Sequence, residues 1–155
     1  MSASRERAWR LAGALCGLVV LADQASKAAI EANLVPGEEL ELLGPLQLTS
    51  AHNTGIAFGL AGGSGTGVIL LTLAALGLLL VIFAHGPERR GMWVAIGLLA
   101  GGALGNLADR VRADAVTDFV DFASWPPFNL ADAAITFGVA VFAWALLREG
   151  RGAER

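Results

Sequence analysis

The stretch Gly67-Val68-Ile69-Leu70-Leu71-Thr72-Leu73-Ala74-Ala75-Leu76-Gly77-Leu78-Leu79-Leu80-Val81-Ile82-Phe83-Ala84 decides the fold. It carries no charge. As a helix it would be about 27 Å long, close to the ~30 Å hydrocarbon core of a bilayer. Three further runs share this character, at Ala8–Ala29, Met92–Ala108 and Asn129–Leu147. The run at Met92–Ala108 is the shortest apolar stretch and is rich in glycine. Four spans therefore predict a mainly α membrane protein, a four-transmembrane-helix bundle. The outer loops fall at 31–66 and 109–128.

Composition agrees. The chain has 155 residues, 55% of them hydrophobic and 16% charged, with mean hydropathy +0.60. A soluble domain of this size needs more charge to cover its surface. One domain spanning 1–155 is expected. Net charge is -3, and no basic tract or aromatic-basic patch suggests nucleic acid. Cys16 is the single cysteine and reads as core packing. No Cys/His grouping suggests a zinc site.

Basic residues set the expected orientation. Arg5, Arg7, Arg10, Arg89, Arg90, Arg148, Arg151 and Arg155 fall on one side, eight of the eleven. Only Lys27, Arg110 and Arg112 fall on the other. Both termini are therefore expected in the cytoplasm. Trp9, Trp93 and Trp144 lie near the cytoplasmic helix ends and Trp125 in the second outer loop, an ordinary interfacial placement. Arg5, Arg7 and Arg10 before Leu11–Val20 resemble a secretory signal. The apolar run continues beyond any cleavage point, however, and Leu15 before Cys16 is too large for a lipoprotein cleavage box. The segment reads as an uncleaved first helix.

Within the first outer loop, Leu40 and Leu42 alternate with Glu39 and Glu41. After Gly44-Pro45, Leu46 and Leu48 alternate with Gln47 and Thr49. This predicts a β-hairpin that rests on the membrane or covers the bundle mouth. Gly62-Gly63-Ser64-Gly65 reads as a flexible joint. Gly97, Gly101 and Gly105 share one helix face and predict close helix contact.

The chemistry lies in the ionisable residues. Ten of the fourteen acids fall at or beyond the outer helix ends, where a charge is costly unless paired or used. Asp23 and Lys27 are spaced i, i+4 and read as a structural ion pair. Asn106, Asp109 and Arg110 end the third helix and read as a structural or substrate-orienting cluster, with Arg110 complementing the helix dipole. Asp118 and Asp121 sit among aromatic residues in the second loop. Asp132 lies in the first turn of the fourth helix, three residues after Asn129. Opposed pulls from the helix N-terminus and from hydrocarbon would tune that carboxyl. A loop carboxylate and a helix carboxylate could share a proton, one activating water and the other donating to a carbonyl. Polar residues that merely line the interface are the alternative.

Five blocks stand out together: Asp23-Gln24-Ala25-Ser26-Lys27, Asn53-Thr54-Gly55-Ile56-Ala57-Phe58, Gly101-Gly102-Ala103-Leu104-Gly105-Asn106-Leu107-Ala108-Asp109-Arg110, Val116-Thr117-Asp118-Phe119 and Phe128-Asn129-Leu130-Ala131-Asp132. Each resembles a block of the lipoprotein signal peptidase (signal peptidase II) family, in the same order. The resemblance runs from about Leu21 to Leu147. It implies four transmembrane helices, a small extracytoplasmic β-rich cradle and a cover over the site. It implies an intramembrane aspartyl endopeptidase without a metal or cofactor. The substrates would be prolipoproteins carrying diacylglycerol, cut before the lipidated cysteine, and globomycin-type compounds would inhibit. The enzyme would be a monomer in the bacterial inner membrane, its site facing outward. The catalytic aspartates fall on Asp118 and Asp132, and the supporting residues on Asp23, Lys27, Asn53, Gly55, Asn106, Asp109, Arg110 and Asn129. The short segment between Asp118 and Asp132 suggests a small cover, and Asp121-Phe122 competes with Asp118-Phe119 for the catalytic register.

Two other classes are weighed against this reading. A Mg²⁺-dependent membrane phosphotransferase could use Asp109, Asp114, Asp118 and Asp121. A small transporter or scaffold could use the intramembrane polar groups as an ion path or as helix glue.

Overall fold

The computed structural model describes residues 2–55, 66–122 and 125–153. The elements follow in the order α1 (Ala3–Asn33), β1 (Glu39–Leu43), β2 (Leu46–Asn53), α2 (Thr66–His85), α3 (Met92–Ala113), β3 (Val116–Phe122), β4 (Trp125–Phe128) and α4 (Leu130–Ala153). All four helices are long and apolar enough to cross a membrane. Each predicted span lies on one of them. Helix α1 runs several residues beyond its apolar run at both ends. Its outer extension carries Glu31, which a hydropathy boundary excludes. The predicted joint at Gly62–Gly65 lies outside the described residues.

Large apolar side chains point outward, as a bilayer allows. On α2, Leu70, Leu71, Leu78 and Val81 are each more than half exposed. Phe83 is the buried residue of that helix. It joins Ala8, Ala12, Met92, Ile96 and Ala145 in the core near the chain termini, with the Trp9 ring edge-on at 4.6 Å.

Helix α3 is central. A Cβ at Gly97 would come within 2.9 Å of Leu15, and one at Gly101 within 2.9 Å of the Cys16 carbonyl oxygen. The predicted glycine face therefore seats α1. Gly102, one position round, faces the Ala131 carbonyl of α4.

The sequence predicts a loop over 109–128. Instead α3 continues to Ala113 and ends on Asp114 in the left-handed conformation (φ 55), which a short polar side chain tolerates. The chain then enters β3 and β4. Together with the predicted β1–β2 hairpin these form a four-stranded antiparallel sheet, in order β1-β2-β3-β4. Pro126 and Pro127 hid β4, because proline cannot donate to a ladder. At the sheet edge that loss is tolerated. Strand β1, the other edge, is exposed along its length. Its leucines are thereby available to the membrane surface.

Candidate active site

The polar residues gather where the sheet meets the outer ends of α1, α3 and α4. Asp23, Lys27, Asn106, Asp118 and Asn129 are all buried. At that depth each polar atom needs a partner.

Helix α4 begins with a reciprocal cap. The Asp132 N–H donates to Asn129 Oδ1 at 2.9 Å, and the Asn129 N–H donates to Asp132 Oδ2 at 3.2 Å. This is a capping box built from Asn and Asp. The N–H of Ala131 donates to Asp23 Oδ1 of α1 at 2.9 Å. A second carboxylate thus caps α4 from a neighbouring helix. A Cβ at Gly105 would lie 2.6 Å from Asp23 Oδ2, so this position admits only glycine without displacing the cap.

Asp118 is on β3, not in a loop. Its Oδ2 accepts from Asn53 Nδ2 at 3.0 Å and its Oδ1 from Asn129 Nδ2 at 2.7 Å. Asn129 Nδ2 also donates to Asn106 Oδ1 at 3.2 Å, and Asn106 Nδ2 donates to Asp132 Oδ1 at 2.8 Å. Two amides therefore join the two carboxylates. Counting the cap, all four carboxylate oxygens of Asp118 and Asp132 accept an N–H. Burial pushes the Asp118 carboxyl above its usual range. The Asn53 amide opposes this, the Asp132 charge reinforces it, and the Asn129 amide and Lys27 oppose it more weakly.

Lys27 sits behind this layer. Its Nζ donates to Asp23 Oδ2 at 2.8 Å and to Asn106 Oδ1 at 3.0 Å. The predicted Asp23–Lys27 pair is present. Lys27 also approaches Asp109 Oδ2 at 2.6 Å, off the line of a hydrogen bond, so that contact is an ion pair. Gly55 contributes through its backbone. Its φ of 72° is a left-handed value suited to glycine, and its N–H donates to Asn53 Oδ1 at 2.9 Å. Asn53 is thereby turned with its amide N–H toward Asp118.

Arg110 serves its own helix end and not Asp109. Its Nη1 donates to the Asn106 carbonyl of its own helix at 3.3 Å, because Asp109 already faces Lys27 and Gln24. The four acids of the metal reading do not converge: among the described residues no three His, Cys, Asp or Glu side chains are grouped to hold an ion. Asp121 takes part in none of the described hydrogen bonds of the network. It lies three residues from Asp118 on a strand, which turns it to the opposite face.

Sequence reading missed three residues. Gln24 Nε2 donates to Asp109 Oδ1 at 2.8 Å, and Arg112 donates to Gln24 Oε1. Glu31 accepts from the Thr117 hydroxyl at 2.5 Å, tying β3 to α1 beside Asp118. Glu31 follows Lys27 by four residues, and that spacing was the available signal. An apolar groove of about 270 Å³, lined by Trp125, Phe128, Ala133, Thr136 and Phe137, opens beside Asp132.

The family model for signal peptidase (SPase) II matches residues 15–148. The chain belongs to the signal peptidase II family. Similar proteins include the lipoprotein signal peptidase of Pelotomaculum thermopropionicum, 42% identical over 137 residues, 87% of this chain and 90% of the relative. That of Moorella thermoacetica is 43% identical over 136 residues, 86% of this chain and 91% of the relative. A solved bacterial membrane enzyme superimposes with a TM-score of 0.82 at 35% identity, covering 88% of this chain and 92% of that one. Membership in signal peptidase II makes this chain a peptidase of a bacterial membrane. Its family blocks, separated by up to about a hundred residues, contribute to one buried hydrogen-bonded layer.

Proposed function

We propose that this protein is an aspartyl endopeptidase that removes signal peptides from diacylglyceryl-modified prolipoproteins, cutting before the lipidated cysteine. The observation that carries the mechanism is the layer in which Asp118 and Asp132 are joined through Asn106 and Asn129. One carboxylate takes a proton from water as that water attacks the scissile carbonyl carbon. The other, protonated, donates to the carbonyl oxygen. The tetrahedral intermediate then expels the amine, which takes a proton from the pair. The single proton belongs to the two carboxyls jointly. The fixed amide N–H groups hold both in register throughout.

The substrate class follows from the relatives' names and from the groove beside Asp132. Its wall of Trp125, Phe128 and Phe137 suits an acyl chain or an apolar signal-peptide side chain entering sideways from the bilayer. A lipid-borne substrate then reaches the site without its chains crossing water. Positive charge at the opposite end of the bundle supports cytoplasmic termini and an outward-facing site in the inner membrane. That Asp118, Asp132 and the amides joining them lie within one chain supports action as a monomer.

The test is cleavage of a diacylglyceryl-modified prolipoprotein by the purified protein. Asp118→Asn and Asp132→Asn should each lose on the order of 10²–10⁴-fold in rate while staying folded. Asp121→Asn should keep its rate. A chelator should change nothing, a globomycin-type compound should inhibit, and the pH profile should be bell-shaped. A dead Asp121→Asn with an active Asp118→Asn would move the dyad, and loss of activity with chelator would overturn the mechanism.

A further inference from the structure

Three asparagines hold the two carboxylates, and an amide is useful there only in one orientation. Its N–H₂ must face the carboxylate and its oxygen must face away. Two of the three are oriented by the backbone. Asn53 Oδ1 accepts from the Gly55 N–H, and Asn129 Oδ1 from the Asp132 N–H. Among the described residues Asn106 has no such backbone donor. Its Oδ1 accepts from Lys27 Nζ and from Asn129 Nδ2.

We infer that Lys27 is a positioning residue that fixes the polarity of the Asn106 amide, and through it the Asn106–Asn129 bridge between the two carboxylates. The inference rests on the aspartyl peptidase reading. An ammonium can only donate, so it forces Asn106 to present oxygen to it and N–H₂ to Asp132. Asp132 alone cannot guarantee this. When the shared proton resides on Asp132, that carboxyl can itself donate to an Asn106 oxygen as readily as it accepts from an N–H. Lys27 keeps its demand throughout turnover. The ammonium is 3% exposed and is held by Asp23 from α1 and Asp109 from α3. Gln24, Glu31, His52 and Arg112 line the small cavity on its other side. The cation is thus clamped at the donor's position and cannot swing away.

Asparagine occurs at only four positions, 33, 53, 106 and 129, so selective ¹⁵N-asparagine labelling reads each side-chain amide. In the purified, labelled full-length protein, Lys27→Met should move or broaden the Asn106 and Asn129 side-chain signals. Those of Asn53 and Asn33 should stay in place. On the lipidated substrate kcat should fall about 10²-fold, the cost of a misplaced group, with KM little changed. The acidic limb of the pH profile should move upward, since removing a cation lets the carboxyls keep protons to higher pH. Lys27→Arg, which keeps charge and donors, should recover part of the rate. Should Lys27→Met fail to fold, combining it with Asp109→Asn removes one charge of each sign, and the asparagine signals and kcat are read as before, the pH shift being cancelled. Unmoved Asn106 signals, or in Lys27→Met alone a loss of rate with an unshifted pH profile, would overturn the inference. Wild type that cuts nothing would sink the peptidase reading instead, and the amide signals would still judge Lys27.

Discussion

Asp118 is subject to opposing influences: burial and Asp132 favour its protonated form, while Asn53, Asn129 and Lys27 favour the ionised one, and burial is the largest. Its folded-state proton affinity therefore exceeds that of the unfolded chain. As pH rises from the ordinary carboxylate value of 3.8 through the raised one, the unfolded state loses its proton first. The contribution of Asp118 to stability falls across that window. Thermal unfolding in detergent should show Asp118→Asn gaining on wild type as pH rises from acid to neutral. A pH-independent difference would contradict the assignment. The identity of this residue was legible as one of two Asp-Phe pairs. Register against Asp109-Arg110 favours Asp118 in the sequence; that β3 turns it toward the polar layer and Asp121 to the opposite face was not legible, because 109–128 reads as a loop.

At the scale of elements, the start of α4 is held by its own capping box and by Asp23 of α1. Gly105 permits this by leaving room for the Asp23 carboxylate. Gly105→Ala should destabilise by about 1–3 kcal/mol through overpacking, and should reduce cleavage further by shifting the cap that carries Asp132. Gly97→Ala meets the Leu15 side chain of α1 from its Cβ outward instead, away from the carboxylates. It should lower stability without a matching loss of rate. Melting temperature and cleavage rate measured on both variants decide the point; equal losses of rate for equal losses of stability would make Gly105 a packing residue only. The stripe of Gly97, Gly101 and Gly105 was legible as a helix-contact face. That Gly105 meets a carboxylate rather than an alkyl chain was not, because spacing gives a face and not its neighbour.

Across the whole molecule, the two ends of the bundle are separate. The apolar core around Phe83, Met92 and Ala145 lies toward the termini, and the polar layer lies beneath the sheet. Phe83 is fully buried, and Phe83→Ala should cost about 3–5 kcal/mol. Cleavage per folded molecule should be nearly unchanged, since no residue of the layer touches that core. Denaturation and active-site titration on the same sample check this. A fall in rate per folded molecule would show that the ends are coupled.

Hydropathy alone determined four spans, because a bilayer requires long uncharged runs whatever their neighbours. Ordered polar blocks pointed to the family, and the β1–β2 hairpin followed from period-two alternation around Gly44-Pro45. The tertiary structure decided what spacing cannot carry. Asn53 and Asn129 reach Asp118 from 65 and 11 residues away, and Lys27 reaches Asn106 from 79. Such contacts depend on how helices pack and which way an amide faces. Burial then requires every donor and acceptor to find a partner, and that requirement turns scattered asparagines, one lysine and several aspartates into a single network.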